Sequence, residues 1–208
     1  LVGTDGTGTL SSADGNTGVG TGVLAALTSG DNNVAIGICA LKVNTTGGDN
    51  TAIGKESMDA NTTGSNNVAL GKGSLSSNTT ASNNTGIGFN ALSANTTGTE
   101  NVAMGSDALK VNTTASYNTA VGFEALHDNT TGSDNTAFGD SASHKITTGT
   151  CNVSVGSYSL LTNTTGDNNT AIGRSALQAN TTADNNTAVG CGALIANTEG
   201  HSNVAVGK

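Results

Sequence analysis

Asn169-Thr170-Ala171-Ile172-Gly173-Arg174-Ser175-Ala176-Leu177-Gln178-Ala179-Asn180-Thr181-Thr182-Ala183-Asp184-Asn185 is the stretch whose reading decides the fold, because the rest of the chain is a set of variants of it. Glycine recurs every seventeen residues, at Gly3, Gly20, Gly37, Gly54, Gly71, Gly88, Gly105, Gly122, Gly139, Gly156, Gly173, Gly190 and Gly207. Asparagine is equally strict, at Asn16, Asn33, Asn50, Asn67, Asn84, Asn101, Asn118, Asn135, Asn152, Asn169, Asn186 and Asn203. A fixed short period without slippage is the mark of a stacked repeat architecture. No break interrupts it, so residues 1–208 read as one elongated domain of twelve 17-residue coils. Residues 1–32 are the divergent first coils and a candidate cap; 33–208 are regular.

Within one unit, Val34-Ala35-Ile36 reads as a short strand. Its first position is Thr or Val and its middle position small. Its third is always apolar: Ile36, Ile53, Leu70, Ile87, Met104, Val121, Phe138, Val155, Ile172 and Val189, with Val2, Val19 and Val206 in phase. Alternation places the first and third residues on one strand face and the small one on the other. Gly37 follows, where a turn needs positive φ or a neighbour leaves no room for Cβ. Ala40-Leu41 carries a second apolar column, and its segment reads equally as a second strand or a single helical turn. Asn44-Thr45-Thr46 and Gly47 close a corner. Helical repeats are roughly 33–47 residues long, and a unit rich in Thr, Gly and Asn has poor helix propensity. The fold class expected is therefore all-β, a parallel β-solenoid, with like side chains stacked at strand spacing. Its two large apolar columns face different ways, so one is expected to be covered by another chain.

Composition narrows the function. The net charge is −8, with seven basic residues scattered singly, which argues against nucleic-acid binding. No run reaches the ~18 apolar residues of a membrane span. Both ends fall inside a unit, so a processed chain or a slice of a longer one is expected. Cys39, Cys151 and Cys191 occupy three different phases. At ~4.8 Å per coil they lie beyond the ~7 Å reach of a disulfide, so no intrachain bridge is expected.

The core N-[TV]-A-[IV]-G, as in Asn50-Thr51-Ala52-Ile53-Gly54 and Asn203-Val204-Ala205-Val206-Gly207, resembles the head repeat of trimeric autotransporter adhesins. The longer unit N-T-A-I-G-x-x-A-L-x-x-N-T-T-G is similar to repeats of phage tail fibres and related surface fibre proteins. The resemblance covers about Asn16 to Lys208. It implies a left-handed β-roll, three chains side by side, and an adhesive or structural role without catalysis. The adhesin head repeat is shorter than 17 residues, and no neck, stalk, anchor or chaperone domain lies within these residues. Three coils depart from the pattern: Leu10 and Leu27, in the first two, stand where later units carry Asn44, and in 141–150 Ser143 replaces Leu and Ile146 replaces Asn.

Candidate sites are few. Asn-Thr-Thr at Asn44, Asn61, Asn78, Asn95, Asn112, Asn129, Asn163 and Asn180 forms N-glycosylation sequons, as do the triplets at Asn83, Asn152, Asn168 and Asn185. The competing reading is that the corner needs these residues. One of each Thr45/Thr46 pair is expected to point inward, against an ice-binding array. Asp167-Asn168 and Asp184-Asn185 offer one carboxylate per coil, sparse for calcium. His127 and His144 stack one coil apart without a carboxylate or Cys in their column, so neither metal nor other cofactor is expected. The expectation is a non-enzymatic rod of an extracellular, cell-surface or virion fibre. Its partners would be identical chains, a trimer being favoured, and a host surface glycan or protein. The alternatives are an end-to-end filament subunit and an ice-binding solenoid.

Overall fold

The computed structural model describes residues 13–208. The expectations for Val2, Gly3 and Leu10 fall outside them. The described chain is a β-solenoid with one three-residue strand per coil: β1 (Thr17–Val19), β2 (Val34–Ile36), β3 (Thr51–Ile53), β4 (Val68–Leu70), β5 (Thr85–Ile87), β6 (Val102–Met104), β7 (Thr119–Val121), β8 (Thr136–Phe138), β9 (Val153–Val155), β10 (Thr170–Ile172), β11 (Thr187–Val189) and β12 (Val204–Val206). They form one sheet in sequence order. Each pair is parallel and offset by one repeat, so Ala35 faces Ala52 and Ile36 faces Ile53. No helix occurs among the described residues. The middle residue of β2 to β11 is buried and its two neighbours point outward. The strand stops at glycine for two reasons. Gly37 has φ +129°, and a Cβ there would sit 2.5 Å from the Gly54 carbonyl oxygen.

The segment after this glycine is neither a second strand nor a helical turn. Two tight turns close it, with Ala40 N–H donating to Gly37 O (3.4 Å) and Asn44 N–H to Leu41 O (3.3 Å). Alternate residues are left-handed: Cys39 has φ +60° and Leu41 +48°, and the Leu column repeats this down to Leu194 at +50°. A left-handed non-glycine residue costs ~1–2 kcal/mol. Its reward is position, since the conformation turns the column inward: Leu41 is 0 % exposed and its equivalents from Leu24 to Leu177 at most 1 %, with Leu194 half-buried. Removing a buried Leu costs about 2.7–5 kcal/mol, so the burial of each such Leu outweighs the strain at that residue. With Ala35 and Ala40, these residues form a continuous core down the axis.

The rest of the interior is polar. Residues 44–50 bury every third position (Asn44, Gly47, Asn50), and two asparagine columns result. In the first, each Asn Oδ1 accepts the backbone N–H of the Asn one coil on, at every step from Asn16 to Asn203. In the second, Asn61 Nδ2 donates to Asn44 Oδ1 at 2.9 Å. The columns meet at one carbonyl: Gly64 O accepts from Asn50 Nδ2 (2.8 Å) and from Asn61 Nδ2 (3.0 Å). A buried amide needs all its partners satisfied, and copies of itself one coil away supply them. At the second corner Thr45 is half-buried and Thr46 exposed, so neither points inward. Thr45 donates to the Thr62 carbonyl instead, at 2.9 Å.

From Ala13 onward the divergent first coils keep the common register, with β1 paired to β2 like every later pair. Leu27 occupies the second asparagine column as a buried apolar plug, 1 % exposed.

Candidate interaction surface

One face of the rod is built by the outward residues of the strands. Its third-position column runs Val19, Ile36, Ile53, Leu70, Ile87, Met104, Val121, Phe138, Val155, Ile172, Val189, Val206 without a polar member. Ile36 is 37 % exposed, Phe138 43 % and Ile172 40 %. Eleven steps of ~4.8 Å make a stripe roughly 50 Å long. It is flanked by the Thr/Val column of the first strand position, to which exposed Val68 and Val204 belong. Alternation along the strand fixes this geometry, as the sequence indicates.

The next column, past the glycine, also faces solvent but is mixed: Ile38, Lys55, Lys72, Phe89, Ser106, Phe123, Asp140, Ser157, Arg174, Cys191. Lys72 Nζ lies 5.6 Å from the Phe89 ring centroid. Beside them is an open groove of about 620 Å³ lined in part by Glu56, Asp59, Ser76 and Asn90. Burial, together with the Glu56 charge, pushes the Asp59 carboxyl above its ordinary value, against backbone hydrogen bonds and Lys42.

The histidines gather more charge than their column suggests. The His127 and His144 rings are parallel, with centroids 5.0 Å apart. Neighbouring columns bring the carboxylates. Asp128 is 2.6 Å from His127 Nδ1 and 2.9 Å from Lys145 Nζ, and Glu124 is 3.2 Å from His144 Nε2. Burial holds the His144 imidazole below its ordinary pKa, with Asp128 pulling the other way. Burial pushes the Asp128 carboxyl up, but hydrogen bonds from Lys145 and His127 outweigh it and leave the group lowered. Stacked rings do not converge on a point. Among the described residues no three His, Cys, Asp or Glu side chains are placed to hold a metal ion.

The other candidates have structural work at the corners. Asp167 Oδ1 accepts the Thr150 N–H (2.6 Å) and Asp184 Oδ1 the Asp167 N–H (2.8 Å), which Ser65 and Ser82 do for other coils. The three thiols are free, Cys151 and Cys191 being exposed. The sequons of the Asn44 column are not surface sites. Asn44, Asn61, Asn78, Asn95, Asn112, Asn129, Asn163 and Asn180 are all 0 % exposed. Their Nδ2 groups, the atoms that would carry a glycan, donate to the interior carbonyls. The signal available in the sequence was the spacing Asn44–Gly47–Asn50, a three-residue inward period in which both threonines fall outside.

No protein-family model matches the chain, and no curated protein is similar to it.

Proposed function

We propose that this chain is a non-catalytic structural or adhesive rod of an extracellular or virion fibre. It works as a homo-oligomer, a trimer, whose members pack side by side along the apolar stripe. The observation that carries this reading is the contrast between two outward columns separated by one glycine. The Ile38 column accepts Lys, Arg, Asp, Ser and Phe; the Ile36 column accepts only apolar residues in all twelve coils. Solvation alone gives no reason for the difference, since both columns face outward in the single chain. An apolar strip ~50 Å long and about a side chain or two wide covers on the order of 500 Å², near the most a monomer exposes. A second copy supplies a covering with the same ~4.8 Å pitch along its whole length.

The test is the mass in solution. The wild-type chain is expected at a multiple of 20.2 kDa by light scattering. Ile87→Asp with Ile172→Asp is expected to reduce it to a monomer with an unchanged circular dichroism spectrum, because the charge is buried only in the assembly. A wild-type chain that stays monomeric at high concentration refutes the reading.

A further inference from the structure

Twelve Asn-x-Ser/Thr triplets occur in the sequence, and the fold divides them sharply. Nine have an interior Asn: the eight of the Asn44 column and Asn152, all 0 % exposed. Three do not. Asn83, Asn168 and Asn185 stand on the exposed corner that leads into β5, β10 and β11. Each is left-handed, at φ +63°, +56° and +59°, a conformation asparagine tolerates better than most residues. In each triplet the middle residue, Asn84, Asn169 or Asn186, turns inward and is 0 % exposed. The outer two residues, Asn83 and Thr85 for example, are thereby left facing out.

We propose that Asn83, Asn168 and Asn185 are the acceptor sites for N-linked glycan on this rod, and that the other nine triplets are not. The reaction is transfer from a polyprenyl-diphosphate-linked oligosaccharide by an oligosaccharyltransferase. The Asn Nδ2 attacks the anomeric carbon, the bond from that carbon to the phosphate oxygen breaks, polyprenyl diphosphate leaves, and one Nδ2 proton is released. Transfer to a nascent chain can reach any triplet. A glycan on Asn95, however, would occupy the space of the Asn78 and Asn112 amides and prevent coil closure, so such chains do not reach the folded product. Asn168 and Asn185 lie one coil apart, ~4.8 Å. That is too close for two oligosaccharides, so one of this pair is filled per chain.

The proposal rests on the extracellular part of the functional reading, and the experiment separates the two. The full chain is directed through a eukaryotic secretory pathway and the secreted, folded protein is mapped by glycopeptide mass spectrometry. Glycan is expected at Asn83 and at either Asn168 or Asn185, two per chain. The control is Thr85→Val with Thr170→Val and Thr187→Val, which destroys the three triplets with a residue already present in that column at Val68 and Val102. It is expected to fold normally and carry no glycan. Glycan at any Asn44-column site in the folded protein overturns the proposal, as does secreted wild-type protein without glycan. The oligomeric mass of the wild-type chain made in a host without N-glycosylation, measured in parallel, reports on the rod assembly independently.

Discussion

The coil spanning 141–150 breaks both internal columns at once, and its two substitutions are expected to depend on each other. Ser143, 1 % exposed, stands in the Leu column, and Ile146, 0 % exposed, stands in the second asparagine column. Two consequences are visible. Ser143 Oγ donates to Ser154 Oγ at 2.8 Å, where neighbouring strands carry Ala137 and Ala171. Asn129 Oδ1, which Ile146 cannot serve, has no hydrogen-bond partner. Volume missing at one inward position is thus restored three residues later, at the cost of one amide acceptor.

A double-mutant cycle measures the compensation. Ser143→Leu alone overfills a core that already holds Ile146, for about 1–3 kcal/mol, and strands the Ser154 hydroxyl for about 1–3 more. Ile146→Asn alone loses a buried aliphatic side chain, about 2–5 kcal/mol. The donor it offers Asn129 Oδ1 returns ~1–3 of that. Together the substitutions recreate the pairs Leu126/Asn129 and Leu160/Asn163 but still leave the Ser154 hydroxyl without its partner, so the double variant is expected ~1–3 kcal/mol below the parent. At the middle of these ranges the coupling energy is ~3 kcal/mol, large for residues in one packed unit. Repeat proteins open locally rather than all at once. The assay is accordingly amide exchange of residues 141–150 as well as global denaturation. Additive effects, with coupling below ~1 kcal/mol, would refute the compensation.

The first asparagine column gives a second expectation. Asn101→Ala leaves the buried Asn118 N–H without its acceptor and is expected to cost ~1–3 kcal/mol in chemical denaturation. Asn101→Asp would set a carboxylate oxygen where Nδ2 now donates to Ala115 O at 2.8 Å. It is expected to cost distinctly more than the Ala variant, and equal losses would contradict the interior placement. The histidine cluster predicts a two-stage acid response. The lowered pKa of His144 means the folded state resists its protonation, so stability falls as pH drops below ~6.5 towards the folded value. The lowered Asp128 contributes stability above its ordinary value of 3.8, lost as pH falls through its folded pKa. In melting curves His144→Leu should erase the first stage and keep the second; a first stage that survives assigns it to another group.

The strand register was legible because a 17-residue period with an invariant glycine admits one stacking, and three-residue alternation sorted Ala35 from Val34 and Ile36. What the period could not supply was angular position around the coil. It identifies vertical neighbours without saying which way they face, so the Asn44 column was open to solvent in the sequence and sealed in the structure. The same gap hid the carboxylates around His144, since Asp128 belongs to the next column and Glu124 to one three positions earlier in the repeat. The left-handed leucines were beyond reach for a different reason. Local preference argues against that conformation, and only the burial available in the closed coil reverses the balance.

A ladder of identical groups also raises a question of register that consensus coils cannot answer. Sliding the stack by one whole unit would pair Asn with Asn and Leu with Leu again, at nearly the same energy. The irregular positions remove that degeneracy. Leu27 offers no amide to the asparagine column in which it stands. The Ser143–Ser154 pair, 11 residues apart, forms only when β9 stacks on the coil of residues 141–150. A slip would bury one of those hydroxyls against alanine, unpaired, at ~1–3 kcal/mol. The departures from the repeat therefore do for the rod what a single polar position does for a coiled coil: each gives up some local stability and selects one alignment.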